Sequence, residues 1–372
     1  MTSTTKIEWC DHTWTPVVGC DAVSPACANC YAALMAARLE AMGQEKYRGV
    51  AVRAGGKGKW TGKVNFSEAD LVKPLTVRRP GRWFLTSMGD VAHEALTPEQ
   101  IAEMFGVMAV AGATGPFHRE QDGFTPGGTY KMHAAAEEVQ IKLPNMLSGP
   151  HTFMVLTKRG ARMATLLLDS RFRKLVSHAA YRWAHNRVSA GNIADGIYPD
   201  WSDWRGEATN YWPMPNVFIG CTVEDQQRAD ELRPHMQRIA AAGWKTFASY
   251  EPALGPVDWA GWEFLKQLIS GGESGHKARP SHPDWHRAAR DFAQAHGIAY
   301  LFKQWGAWAP GNGGPGGDLY ERDRTKVESG MFTYAGAWTP GGPNPFRQTM
   351  DRIGKKGAGR LLDGREWNEV PA

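Results

Sequence analysis

The chain lacks any stretch of about 18 consecutive apolar residues, the length a membrane-crossing helix requires. Its first residues, MTSTTKIEWCDHTW, lack the apolar core of a secretory leader. A cytoplasmic, non-membrane protein is therefore expected. No repeat of solenoid period is visible. The net charge of +5 permits an anionic partner without requiring one, because a nucleic-acid footprint needs clustered charge. Cysteine is nearly absent beyond residue 30: of five, only Cys221 lies outside the first thirty residues. Crowding of the other four in a reducing compartment points to metal ligation rather than to a disulfide framework.

What is present fits an α/β protein. The 372 residues, 42% apolar and 22% charged, can bury one large domain or two smaller ones. From residue 80 onward, short apolar runs end in polar residues and are followed by helical patterns. The runs are Arg82–Thr86, Thr152–Thr157, Asn216–Thr222, Thr246–Tyr250, Phe264–Ser270 and Ile298–Phe302. Helical spacing marks Pro98–Val110, Asp225–Ala242 and Pro283–His296. Alternation of this kind implies a parallel sheet. With a first strand near Trp14–Val18 there are about seven strands. The expectation is a TIM-barrel-like β/α barrel, full or partial, over residues 1–305. Surface insertions are expected near 114–150 and 186–214. A loop-like, Gly/Pro/Trp-rich and basic extension, 306–372, is expected to pack on the barrel.

The segment GCDAVSPACANCYAALMAAR places Cys20, Cys27 and Cys30 in a C-x6-C-x2-C array. Ser24-Pro25 is a helix-start signal, so Cys27 and Cys30 are expected on one face of a helix's first turn, with Cys20 in the preceding loop. A helix N-terminus favours thiolates. Three thiolates can hold three irons of a [4Fe–4S] cube and leave the fourth open. The competing reading is a structural zinc site that recruits Cys10. Zinc sites usually pair two short knuckles, and only Cys27/Cys30 forms one here.

The ordered set IEWCDHTWTPVVGCDAVSPACANCYA, WFLTSMGDVAHE, FMVLTKR, NVFIGCTVEDQ, SYEPALGPVD, ISGGESGHKARPSHPDW, LFKQWGAW and GKKGAGRLLDGREW resembles the phage-associated three-Cys-motif proteins, a family that itself resembles radical S-adenosylmethionine (SAM) enzymes. The resemblance runs over nearly the whole chain apart from the insertions. It implies a barrel, a [4Fe–4S] cluster on Cys20, Cys27 and Cys30, SAM at the open iron, and a reductant such as flavodoxin or ferredoxin. Radical SAM enzymes most often use C-x3-C-x2-C, so the first spacing departs from their pattern. Gly271-Gly272-Glu273 looks like their SAM-amine motif but follows about the sixth run rather than the second, which ends in Ser87-Met88-Gly89-Asp90.

Ligands of parallel barrels bind at the C-terminal ends of the strands. Tyr31, Ser87, Asp90, Thr222, Glu224, Gly271, Gly272 and Glu273 are therefore the cofactor-binding candidates, and Lys158, Glu251 and Lys303 the catalytic ones. Asp90 or Glu273 could meet the SAM ammonium, Thr222 or Glu224 the ribose hydroxyls, and Lys158 and Lys303 a phosphate or carboxylate. His93 reads as structural, Trp305 and Trp308 as rim packing, and Cys221 as an inert buried thiol. Lys355, Lys356 and Arg360 could contact phosphate, or the tail could pack Leu361-Leu362 on the barrel. The expected activity is radical SAM chemistry on a nucleobase, nucleotide or nucleic acid. The rival is a zinc-stapled nucleic-acid-binding protein without catalysis.

Overall fold

The structure is a computed structural model that describes residues 5, 7–77, 79–112, 129–134, 137–142, 151–184, 211–311, 328–332, 338–340 and 348–371. Most of the two expected insertions lies outside them. Seven parallel strands form the main sheet: β1 His12–Trp14, β2 Arg82–Leu85, β3 Thr152–Thr157, β4 Val217–Thr222, β5 Lys245–Tyr250, β6 Gln267–Gly271 and β7 Ala299–Gln304. They lie side by side in chain order. The first and sixth strands differ from the sequence expectation. The apolar pair Val17–Val18 leaves the sheet to pair with Asn65–Phe66, and the run from Phe264 enters the sheet only at Gln267.

The sheet does not close. β1 and β7 are its two edges, so the architecture is an open, curled, partial barrel rather than a full one. Its curl is visible at Trp9, whose ring centroid lies 4.5 Å from Phe84 on β2 and 6.3 Å from Phe247 on β5. Three strand spacings in a flat sheet span about 14 Å, so the strands must bend around Trp9. Alternation of side chains divides the core. Phe84, Met154, Phe218, Phe247, Ile269 and Leu301 line the concave face with Trp9 and Cys10. The opposite face packs on the helices through residues such as Leu85, Phe153, Ile219 and Leu268.

Gly220 makes this concave packing possible. A Cβ there would lie 2.3 Å from the Phe247 ring. Gly220→Ala is expected to lower stability by about 1–3 kcal/mol through overpacking, read as a lower urea midpoint at unchanged slope. An unchanged midpoint would show that the ring has room to move.

The helices begin where their signals stand. Thr97 and Gln100 exchange backbone and side-chain bonds as a capping box ahead of Pro98–Gly112. Asp225 caps Gln226–Ala241 by accepting from the Arg228 N–H, and His282 caps Pro283–Ala295.

Among the described residues of 306–372 there is regular structure as well as loop. Four antiparallel strands, Trp308–Pro310, Thr349–Arg352, Glu328–Phe332 and Trp338–Pro340, form a second sheet. Gly/Pro punctuation was read as loop, but it also separates short strands. The chain end then covers the β7 edge: Phe302 N–H donates to Trp367 O, and Glu369 N–H to Tyr300 O. An uncovered edge is a template for unwanted pairing, and this contact blocks it. Among the described residues no helix is long and apolar enough to cross a membrane.

Candidate functional site

The cysteine loop lies across the C-terminal ends of the strands. Ser24-Pro25 does start a helix, but a five-residue 3-10 one, Pro25–Asn29. Cys30 then takes φ −59°, ψ 116° and becomes the N-cap of the helix Tyr31–Ala41. Cys27 and Cys30 therefore do not share a helical face as the spacing suggested. The tighter 3-10 turn and the extended Cys30 intervene.

Four strand ends grip this loop. After β4, the fully buried Glu224 carboxylate accepts from Ser24 Oγ at 2.5 Å and from the Ala26 N–H at 2.8 Å. Lys158, after β3, pairs with Glu224 and donates to Ser24 Oγ at 3.0 Å. After β6, Glu273 accepts from Asn29 Nδ2 at 3.2 Å and from Arg279 Nε at 2.8 Å. At the end of β2, Thr86 holds φ at +62°, a costly conformation for a β-branched residue. This bend brings Ser87–Gly89 against the loop, where Gly19 N–H donates to Met88 O at 3.0 Å.

Arg159 was missed by the sequence reading, which stopped at its neighbour Lys158. Its Nη1 lies 3.7 Å from Cys20 Sγ and 3.1 Å from Asp90 Oδ2. Its Nε donates to Glu94 at 2.7 Å, and its other nitrogen pairs with Asp21. Burial alone would lower its pKa, yet Asp90, Glu94 and Cys20 hold the guanidinium above its ordinary value. Burial pushes the Cys20 thiol up to about 12, with Asp90 adding to that effect and Arg159 opposing it. The available signal was basic side chains directly after the β3 run. Asn29 and Ser24 were likewise invisible, since no spacing rule assigns a role to a polar residue between ligating cysteines.

Several candidates turn out to be occupied by protein partners. Asp90 accepts from Thr157 Oγ1 at 2.6 Å, Ala92 N–H at 2.9 Å, Lys158 N–H at 3.0 Å and Arg159. Its carboxylate is spent on fixing the β2 and β3 ends together. Glu224 and Glu273 are equally committed to the cysteine loop. Gly271 and Gly272 permit close packing: a Cβ on Gly272 would lie 2.0 Å from Trp305 O. Trp305 and Trp308 are buried and donate to Leu361 O and Ala278 O, in keeping with rim packing. His93 is buried, with Nδ1 accepting from the Ala95 N–H. Tyr31 is exposed on the rim and donates to Ser87 O at 3.1 Å. The Ser87 hydroxyl faces Thr15 Oγ1 at 3.3 Å. Thr222 ends β4 and is buried. Glu251 and Lys303 form an ion pair at 2.7 Å between the β5 and β7 ends, each side chain 16% exposed. In the tail, Leu362 is buried, Lys355 approaches Glu8 at 3.9 Å and Arg360 approaches Glu366 at 3.9 Å.

Cysteine thiolates are the usual ligands of iron–sulfur clusters. Cys20, Cys27 and Cys30 are free and partly exposed, and they come from one loop. As the side chains stand, Cys27 Sγ is 3.4 Å from Ser24 Oγ and Cys20 Sγ 3.3 Å from Asp21 O. Among the described residues, no group of three or more His, Cys, Asp or Glu is arranged to hold a metal ion. Cys10 is apart from the three: it packs into the concave apolar cluster, where burial raises its thiol to about 12. Cys221 is fully buried in β4, and burial raises it further.

An open parallel sheet with charged side chains gathered at its strand ends defines an α/β protein whose candidate ligand site is that edge. The chain belongs to the family described as protein of unknown function DUF5131, whose model matches residues 4–114 and 141–371. No curated protein and no solved structure matches it.

Proposed function

We propose that the chain is a radical SAM enzyme in which Cys20, Cys27 and Cys30 hold a [4Fe–4S] cluster. The observation that carries this reading is that three free cysteines share one loop, which Glu224, Glu273 and Lys158 tether to the strand ends. When bound, such a cluster supplies the electron that splits SAM and yields a 5′-deoxyadenosyl radical. The chain's own residues supply position and charge. Arg159 offsets negative charge near Cys20, as cationic neighbours do for thiolates. With Asp90, Glu224 and Glu273 occupied, and the Ser87 and Met88 carbonyls taken by Tyr31 and Gly19, SAM is left the Thr222 end of β4 and the exposed rim beside Tyr31. The Glu251–Lys303 pair offers a proton donor and acceptor to a substrate held over the concave face. That substrate is a nucleobase, nucleotide or nucleic acid, and a flavodoxin or ferredoxin supplies the electron.

Anaerobic reconstitution with iron and sulfide tests this. The unaltered chain is expected to bind close to four irons, to show broad absorption near 400 nm, and to release 5′-deoxyadenosine from SAM under dithionite. Cys20→Ala, Cys27→Ala and Cys30→Ala should each abolish 5′-deoxyadenosine release, whereas Cys10→Ala should retain full iron. A colourless protein carrying stoichiometric zinc, or a Cys10→Ala variant that loses the metal, would overturn the assignment.

A further inference from the structure

Between residues 46 and 63 the sequence KYRGVAVRAGGKGKWTGK carries Lys46, Arg48, Arg53, Lys57, Lys59 and Lys63 and no acidic residue. Much of it folds as an antiparallel hairpin, Ala51–Ala54 against Lys57–Trp60. The hairpin lies tightly on the helix that follows the cysteines, because a Cβ on Gly58 would fall 2.0 Å from Leu34 N. Its turn reaches the cysteine loop itself. Lys57 Nζ donates to Asn29 Oδ1 at 3.0 Å and to Ala28 O at 3.3 Å. Asn29 in turn donates to Lys277 O at 2.9 Å, bringing the exposed Lys277 segment to the other side of the loop. Arg53, Lys59 and Lys277 are exposed, and among the described residues their side chains make no hydrogen bond or ion pair. Lys46 and Arg48 are different, being paired with Asp70 and Glu45. Acidic groups close to the rim are already engaged: Asp21 with Arg159, Glu273 with Arg279, and Glu40 with the Gly49 N–H.

We infer that the rim running from Lys59 through Lys57 and Asn29 to Lys277 binds the phosphate backbone of a single-stranded polynucleotide and delivers one base over the cysteine loop. The inference rests on the radical SAM reading only for what happens after binding. Three features favour a strand over an acidic protein. Lys57 and Lys59 alternate with glycine and stand on one face of a strand, about 7 Å apart along it, a spacing suited to successive phosphates. At the hairpin turn the exposed Gly55 and Gly56, with open space where a Cβ would stand, let a ligand approach the backbone, a common mode of phosphate contact. The exposed ring of Tyr31 opens the helix against which the hairpin packs, and aromatic rings stack bases without sequence preference.

Fluorescence anisotropy of a labelled twenty-nucleotide oligothymidylate with the full chain provides the test. The variant Lys59→Glu/Lys277→Glu spares Lys57, which contacts the cysteine loop. It should bind at least tenfold more weakly. The neutral variant Lys59→Gln/Lys277→Gln should lower the slope of log K against log salt by about 1.4, at roughly 0.7 per cation. Unchanged circular dichroism would show that either variant is folded. No binding by the unaltered chain overturns the inference, as does equal binding by both variants, or displacement of the oligonucleotide by polyglutamate at equal charge concentration. Iron content and 5′-deoxyadenosine release are measured on the same preparations. Strand binding with no iron defeats the enzyme reading alone, and an active iron protein that ignores the strand defeats this inference alone.

Discussion

Glu224→Gln is expected to lose about 2–4 kcal/mol of stability and most of the iron that the unaltered chain takes up on reconstitution. The carboxylate is fully buried and receives Ser24 Oγ, the Ala26 N–H and Lys158 at once. A carboxamide keeps one acceptor oxygen but turns a donor NH2 toward groups that are themselves donors. Removing one member of a buried pair costs about 3–5 kcal/mol because the other charge is left without compensation. Lys158 is about a quarter exposed, so the loss should fall toward the lower end. The iron should fall with it, because Ser24 and Ala26 lie between Cys20 and Cys27 and would lose their tether. Lys158→Met provides the contrast. It removes the cation but leaves Ser24 and Ala26 bonded to Glu224, so iron should be largely retained while stability drops. Equal iron in Glu224→Gln and the unaltered chain would show that the loop is set by its own 3-10 turn rather than by the sheet.

The way the sheet and the loop meet explains what could and could not be read in advance. Strands β2, β3, β4 and β7 were legible because continuous apolar runs buried on both faces have few alternative fates. Closure was not legible, because the edge of a parallel sheet looks like any other strand in sequence. Here β7 ends the sheet because the chain returns through Trp367 and Glu369 to bond its free edge. The polar residues at strand ends were correctly located but incompletely understood. A carboxylate that binds a ligand and one that anchors a loop have the same sequence context. Asp90, Glu224 and Glu273 show the second role through Thr157, Ser24 and Asn29, which lie 67, 200 and 244 residues away. Arg159 could be recognised only once Cys20, Asp21, Asp90 and Glu94 were brought around it in space.

His286, which no motif marks, should make the protein markedly less stable in mild acid. It is fully buried between Ser281 Oγ, 2.8 Å from Nε2, and Ser270 Oγ, 3.1 Å from Nδ1, with Phe302 and Trp305 against its ring. Burial, aided by His282 and Arg287, lowers its pKa from 6.5 to about 3. The imidazole therefore stays neutral in the folded chain while the unfolded chain takes up a proton below pH 6.5. Stability then rises with pH between about 3 and 6.5 and is level above. At about 1.4 kcal/mol per pH unit, the window is worth roughly 4–5 kcal/mol. Every ionisable group contributes to the pH trend of the unaltered chain, so that trend alone does not isolate this one. The difference between it and His286→Gln does, since the other groups are common to both. Glutamine can still bond one of the two serines, and the variant is expected to be less stable at pH 7.5 and to narrow that gap by several kcal/mol as the pH falls to 4. Urea midpoints that keep a constant separation across that range would mean that the imidazole is reached by water and titrates near its ordinary value.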